Sequence, residues 1–262
     1  MVSNKSFLDE IEKIESSIED MGKPVSEMSR YEAADLAREL RWRQKRAGKI
    51  TSSVASKLIK RGQKGAKWGK ESSRIIYDVL HERLTGEIRD TTTYKDMEWG
   101  NTYEAEGIQY YSRTKGIDVI DCARDLEDIV FLDEKVKGYG DSPDAMSKDG
   151  KIIAEIKCPA AGGIHMSYCS IKKIDKSFDY FWQLIGHFMA SDADVVDFVS
   201  YDPRIPEGHP NKIHIVSMSR DDYVEHIDQL KERVEDAVSL IDDIEKTNDV
   251  SLIHKKDEKS DI

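Results

Sequence analysis

The chain has 262 residues, 39% of them hydrophobic and 35% charged, which suits one large or two small soluble domains and excludes a disordered polymer. Its net charge of −11 argues at first against a nucleic-acid partner. Three cysteines, Cys122, Cys158 and Cys169, odd in number and without C-x-x-C spacing, exclude a disulfide framework, a structural zinc site and a four-cysteine iron–sulfur cluster made by this chain alone.

Residues 5–21 place Phe7, Ile11, Ile14 and Ile18 at helical spacing among acids, which predicts an amphipathic helix and does not read as a secretory or transit signal. Ser29-Arg30-Tyr31-Glu32 has the capping-box pattern ahead of a helix running to about Arg46, where Gly48 can end it. Thr51–Ile59 reads as a short helix entered through a hydroxyl cap, and RGQKGAKWG at 61–69 as a basic loop punctuated by glycine. This region changes the electrostatic picture. Residues 38–74 hold 13 Lys/Arg against two acids, a local +11 that leaves −22 on the remainder. A basic stripe on an acidic body can hold a phosphate backbone while the rest of the surface limits non-specific binding.

Helices are predicted over roughly 70–85 and 96–115, each with a glycine at its end (Gly86, Gly116). The texture then turns to short strands, around Asp118–Cys122, Ile129–Leu132, Val136–Ser142 and Lys151–Lys157. An apolar helix over Phe178–Ala190 follows, then strands at Val195–Tyr201 and Lys212–Met218 and a long helix over Arg220–Lys246. The charged end, HKKDEKSDI, is expected to fray. No run reaches the roughly 18 apolar residues of a membrane span, so a cytoplasmic protein without membrane partners is expected. The order of elements predicts an α/β (α+β) fold, a central mixed sheet flanked by helices.

One strand carries chemistry. In Lys151–Lys157, Glu155 and Lys157 share a face while Ala154 and Ile156 point the other way, into the core. Asp144 follows Pro143, and a hairpin through Lys148-Asp149-Gly150 would set Asp144 beside Glu155. Two adjacent carboxylates repel, and a hard divalent cation such as Mg²⁺ relieves that repulsion. A lysine beside them can orient a water and offset charge on a phosphodiester under attack. These parts suit metal-assisted phosphodiester hydrolysis. Upstream, Glu104 lies one turn into the helix opened by Met97-Glu98-Trp99-Gly100, and Arg46-Ala47-Gly48-Lys49-Ile50-Thr51-Ser52-Ser53 puts an arginine ahead of hydroxyls, a good phosphate cradle. Downstream, Gln183 and His187 stand one turn apart on the apolar helix.

Read in order, RAGKITSS, WGNTYE, SPDA, EIKCP, FWQLIGH and YDPR resemble the lambda-type phage exonucleases, the YqaJ-like viral recombinase branch of the PD-(D/E)xK nucleases. The likeness covers about residues 40–245. It implies a restriction-endonuclease-like core, a homotrimeric ring through which linear duplex DNA threads, and 5′→3′ removal of one strand as mononucleotides. It also implies Mg²⁺, two ions per site with Mn²⁺ able to substitute, and a single-strand annealing recombinase as partner in the bacterial host cell. By position, Asp144, Glu155 and the Ile156 carbonyl would be metal ligands, with Glu104 completing a second metal site. Lys157 would activate the attacking water, and Gln183 would contact the scissile region or hold Lys157. Arg46, Ser53 and Ser142, with Thr51 and Lys49, would take the 5′-phosphate.

Two departures from the family pattern stand out. Ala145 replaces the usual glycine, and Ile185 and His187 occupy positions where the family often carries a second polar residue or a tyrosine. His187 stays open between a site residue and a satisfied core histidine. Trp68 and Trp99 read as core anchors, Cys158 as a packing residue, and the other histidines show no ligand spacing. The expected organisation is an amphipathic extension at 1–28, the nuclease domain at 29–247 and a charged tail at 248–262. A PD-(D/E)xK endonuclease, or a DNA-end-binding module with weak nuclease activity, are the alternatives.

Overall fold

A computed structural model describes residues 38, 41–63, 66–86, 95–123 and 130–254. Contacts divide the chain into two units, Met1–Lys45 and Arg46–Ile262. Of the first, Arg38 and residues 41–45 are described, and they are helical. The helix expected at 5–21, most of the one expected from 29, and the residues after 254 lie outside the described set.

The second unit begins with strand β1 (Ile50–Thr51), a 3-10 turn at Ser52–Val54 and one helical turn, α1 (Ala55–Leu58). Helices α2 (Lys70–Thr85) and α3 (Lys95–Lys115) precede strands β2 (Val119–Asp121), β3 (Tyr139–Gly140), β4 (Ala145–Ser147) and β5 (Ile152–Lys157). Helices α4 (Gly162–Cys169) and α5 (Phe181–Ala190), strands β6 (Val195–Tyr201) and β7 (Ile213–Ser219), and helix α6 (Val224–Thr247) complete the order. The main sheet runs β2-β4-β5-β6-β7, antiparallel except for the parallel β5–β6 pair, and β1 pairs with β3 in a separate parallel ribbon. It is the mixed sheet flanked by helices that the element order predicts. Among the described residues no helix is long and apolar enough to cross a membrane.

Alternation along β5 assigns its side chains to two cores. Ile153 joins the larger one, built with Phe181, Leu184, Phe188 and the α6 residues Leu230, Val234, Val238, Ile241 and Ile244. Ala154 and Ile156 join the smaller one, with Ile108 and Tyr111 of α3 and Val199 and Tyr201 of β6. Each large side chain so buried contributes about 1.5–3 kcal/mol. Helix α3 comes close to β5 at Gly107, where a Cβ would lie 3.1 Å from Ile156 Cγ2, and Glu104 sits one turn earlier on that helix. Helix α5 comes equally close to the β1–β3 ribbon: a Cβ on Gly186 would run into the Tyr139 hydroxyl and lie 2.9 Å from Ser52 Cβ.

Several expectations are corrected. Thr51 is a strand residue, and its hydroxyl bonds to Arg46 instead of capping a helix; the segment to Leu58 is a 3-10 turn and one α turn. Of the strand expected at Val136–Ser142, Tyr139–Gly140 forms, while Leu132 meets Asp141 in an isolated bridge. Strand β4 is the first arm of the hairpin expected through Lys148-Asp149-Gly150, though its three residues are too few for a readable alternation; helix α4 was not anticipated, because Gly162-Gly163 is a poor helix opening. Helix α5 starts at Phe181, three residues later than expected. Ile253, just ahead of the end expected to fray, is buried in a 3-10 turn at Val250–His254, and residues 255–262 lie outside the described set.

Candidate active site

The hairpin of β4 and β5 sets Ala145 opposite Ala154, which puts Asp144 next to Glu155. Asp144 Oδ2 accepts a hydrogen bond from the Ile156 N–H at 2.7 Å. Burial, then the charges of Glu155 and Glu104, push the Asp144 carboxyl well above the usual carboxylate range, with Lys157 only partly offsetting them. Glu155 is 1% exposed and has donors on both oxygens. Lys157 Nζ and Gln183 Nε2 (2.6 Å) reach Oε1, and His187 Nε2 lies 2.8 Å from Oε2. Burial raises this carboxyl, but Lys157 and then His187 outweigh it and hold it at about 2. Lys157 shows the converse: burial opposes its charge, and the Glu155 and Asp144 carboxylates more than compensate, raising its pKa. Its ammonium also lies 5.1 Å over the Tyr180 ring.

His187 is fully buried, and its Nδ1 lies 2.7 Å from Oδ2 of the equally buried Asp141. A ring held between two carboxylates donates from both nitrogens, so it is an imidazolium. Burial disfavours that charge, but Asp141 and Glu155 raise its pKa to about 10. His187 therefore belongs to the acid cluster. Asp141 is the residue sequence reading missed, because no spacing rule links it to a histidine 46 positions away. Its other oxygen, Oδ1, is buried without a partner among the described residues.

A second polar cluster adjoins Asp141 in sequence. Arg46 Nη2 donates to Thr51 Oγ1 (3.1 Å) and Ser53 Oγ (3.0 Å), Arg46 Nη1 donates to Ser142 Oγ (3.3 Å), and the Thr51 and Ser53 hydroxyls are 3.1 Å apart. Four of the residues expected at a phosphate end thus converge. The fifth, Lys49, pairs with Asp133 at 2.9 Å and lies over the Phe131 ring.

The YDPR stretch braces the loop beyond β5. Arg204 donates to both carboxylate oxygens of Asp202 (2.8 Å each) and to the carbonyls of Ala160 (2.8 Å) and Pro159 (3.3 Å), and its guanidinium stacks 4.8 Å from the Trp99 ring. Cys158 is buried, and burial pushes its thiol up to about 12, in keeping with a packing role. His165 is a satisfied core histidine, bonded to Ser200 and the Asn211 carbonyl.

Residues 41–194, which span both clusters, match the YqaJ-like viral recombinase domain family. The chain belongs to that family. Two solved structures share the fold of this YqaJ-like domain. An alkaline exonuclease (LHK-Exo) from Laribacter hongkongensis is 21% identical, with a TM-score of 0.62 over 79% of this chain and 96% of that one. A phage related exonuclease from Haemophilus somnus 129PT is 19% identical, with a TM-score of 0.56 over 77% and 96%. A comparison with curated proteins found no match. The fold these structures share with the YqaJ-like domain is a central mixed sheet flanked by helices.

Do these residues fit a divalent cation? Among the described residues no three His, Cys, Asp or Glu side chains already converge as a ligand set. The donor chemistry nonetheless fits: Asp144, Glu155 and Glu104 offer hard oxygens, and a cation would offset both causes that raise the Asp144 carboxyl, burial first and then the charges of Glu155 and Glu104.

Proposed function

We propose that this YqaJ-like domain is a Mg²⁺-dependent exodeoxyribonuclease. It would take linear double-stranded DNA at a 5′-phosphorylated end and release mononucleotides 5′→3′ from one strand, leaving a 3′ strand for recombination by annealing. The observation that carries this reading is the adjacency of the two clusters: Ser142, in the arginine–hydroxyl pocket, is two residues from Asp144, in the carboxylate–lysine cluster. The exonuclease relatives of this fold support it, and the Laribacter enzyme was also solved in complex with dAMP.

Asp144, Glu155, Glu104 and the Ile156 carbonyl would hold the cation, which when bound supplies Lewis-acid polarisation and a more acidic water. The protein's own groups account for the rest. Gln183 and His187 fix the Glu155 carboxylate in one rotamer. Lys157, kept charged by two carboxylates, orients the attacking water and offsets the negative charge that grows on phosphorus. In the second cluster the guanidinium faces hydroxyls that can turn their protons to an anion, so a terminal phosphate gains a forked cation and three neutral donors. The family likeness adds a homotrimeric ring and a single-strand annealing partner.

The test is nucleotide release in Mg²⁺ from linear duplexes with 5′-phosphate or 5′-hydroxyl ends and from closed circles. The expected result is rapid loss of the phosphorylated strand with circles intact. Cut circles would make the domain an endonuclease, and end binding without turnover would make it a binding module.

A further inference from the structure

The Arg46 pocket depends on a turn. Gly48 has φ +71°, in the left-handed region that favours glycine, and the Lys49 N–H returns to the Arg46 carbonyl at 3.1 Å. The Ile50 N–H then bonds to the Gly138 carbonyl (2.9 Å), which seats β1 beside β3, the strand that leads to Ser142. Two consecutive residues of α2 grip the glycine at both its polar groups. The Glu82 carboxylate accepts from the Gly48 N–H at 2.8 Å, and Arg83 Nε donates to the Gly48 carbonyl at 2.9 Å. Glu82 is only 6% exposed, a costly place for a carboxylate unless its hydrogen bonds hold it there. Arg83 is aimed in turn by α6, with Nη1 3.0 Å from Asp242 and 3.4 Å from Glu245.

We infer that Glu82 and Arg83 are positioning residues that set the reach from the Arg46 guanidinium to the hydroxyls of Thr51, Ser53 and Ser142, and thereby the preference for a 5′-phosphorylated end. This rests on the anion-pocket reading above. Neither side chain touches the proposed ligand. Both act through the backbone of a turn whose two ends carry the groups that do. A misplacement of the order of 1 Å in such a site costs up to about 100-fold in rate.

The experiment measures the ratio of nucleotide-release rates on 5′-phosphate and 5′-hydroxyl duplexes for the wild type, Glu82→Leu, Glu82→Gln and Arg83→Met, with thermal melting to establish folding. Glu82→Leu and Arg83→Met are expected to lower the ratio by about tenfold. Glu82→Gln, whose amide oxygen can still accept from Gly48, is expected to keep it within about twofold. Folded Glu82→Leu and Arg83→Met proteins with the wild-type ratio would overturn the inference alone. A wild type with no phosphate preference would overturn the pocket reading and the inference with it. Should Glu82→Leu not fold, the contrast between Arg83→Met and Glu82→Gln decides.

Discussion

The two polar clusters are built on opposite principles. Around Glu155 the charges are buried and answer one another: Lys157 and His187 against Glu155 and Asp141. Around Arg46 the described hydrogen bonds run from a cation to neutral hydroxyls, half-open to solvent. A buried cluster of mixed charge is fixed in shape by its own electrostatics, because removing one member strands another in a low-dielectric site. Hydroxyls beside a cation can turn their protons toward an incoming anion. Rigidity suits chemistry, and receptivity suits recognition.

The largest effect should come from breaking the first cluster. Lys157→Ala is expected to lower nucleotide release by about 10³-fold while leaving duplex binding within a few-fold, measured by product release and by a gel or anisotropy assay. Retained turnover would remove Lys157 from the site. Breaking the second cluster should be milder and selective. Arg46→Ala is expected to cost about 10–100-fold on 5′-phosphorylated ends and little on 5′-hydroxyl ends; an equal loss on both would mean that Arg46 supports the fold instead.

Two smaller effects sharpen the contrast. Gly186 lies on the helix that carries Gln183 and His187 and abuts Tyr139 and Ser52 beside the Arg46 pocket. Gly186→Ala should therefore destabilise the protein by about 1–3 kcal/mol, read as a lower melting temperature, and perturb both clusters together. Away from both, hydrogen bonds from Arg204 hold the Asp202 carboxyl below the usual aspartate range. A depressed carboxyl contributes stability above its unfolded pKa of about 3.9 and loses it as pH falls through the folded value. Asp202→Asn should cost about 1 kcal/mol at pH 7, discounted because Arg204 is partly exposed, and progressively less as pH falls below the unfolded pKa. Urea melts across a series of pH values from 7 downward would check this, and a loss that does not change with pH would assign the effect to packing.

Much of the first cluster was legible because a strand's alternation is a strong rule. Glu155 and Lys157 had to share a face, and a hairpin had to bring Asp144 alongside. Strand β6 was read to the residue, since seven residues of a buried strand leave little room for another assignment. The Arg46 cluster came from motif order, whereas the ion pair of Lys49 with Asp133 was not legible because it depends on a loop that no local pattern specifies. The Asp141–His187 pair was illegible for a deeper reason. A buried hydrogen bond between distant residues leaves no periodic trace, and a lone histidine on an apolar helix looks the same with or without a partner.

Asp141, Ser142 and Asp144 bond to three different partners: a histidine on α5, the arginine before β1 and the backbone of β5. The stretch is therefore a ruler, and its length constrains mutation more tightly than its composition. One inserted residue would displace an end by roughly 3.5 Å, about a whole hydrogen-bond length, so no side-chain adjustment could restore all three contacts at once. Indels here should be far less tolerated than substitutions at the same positions.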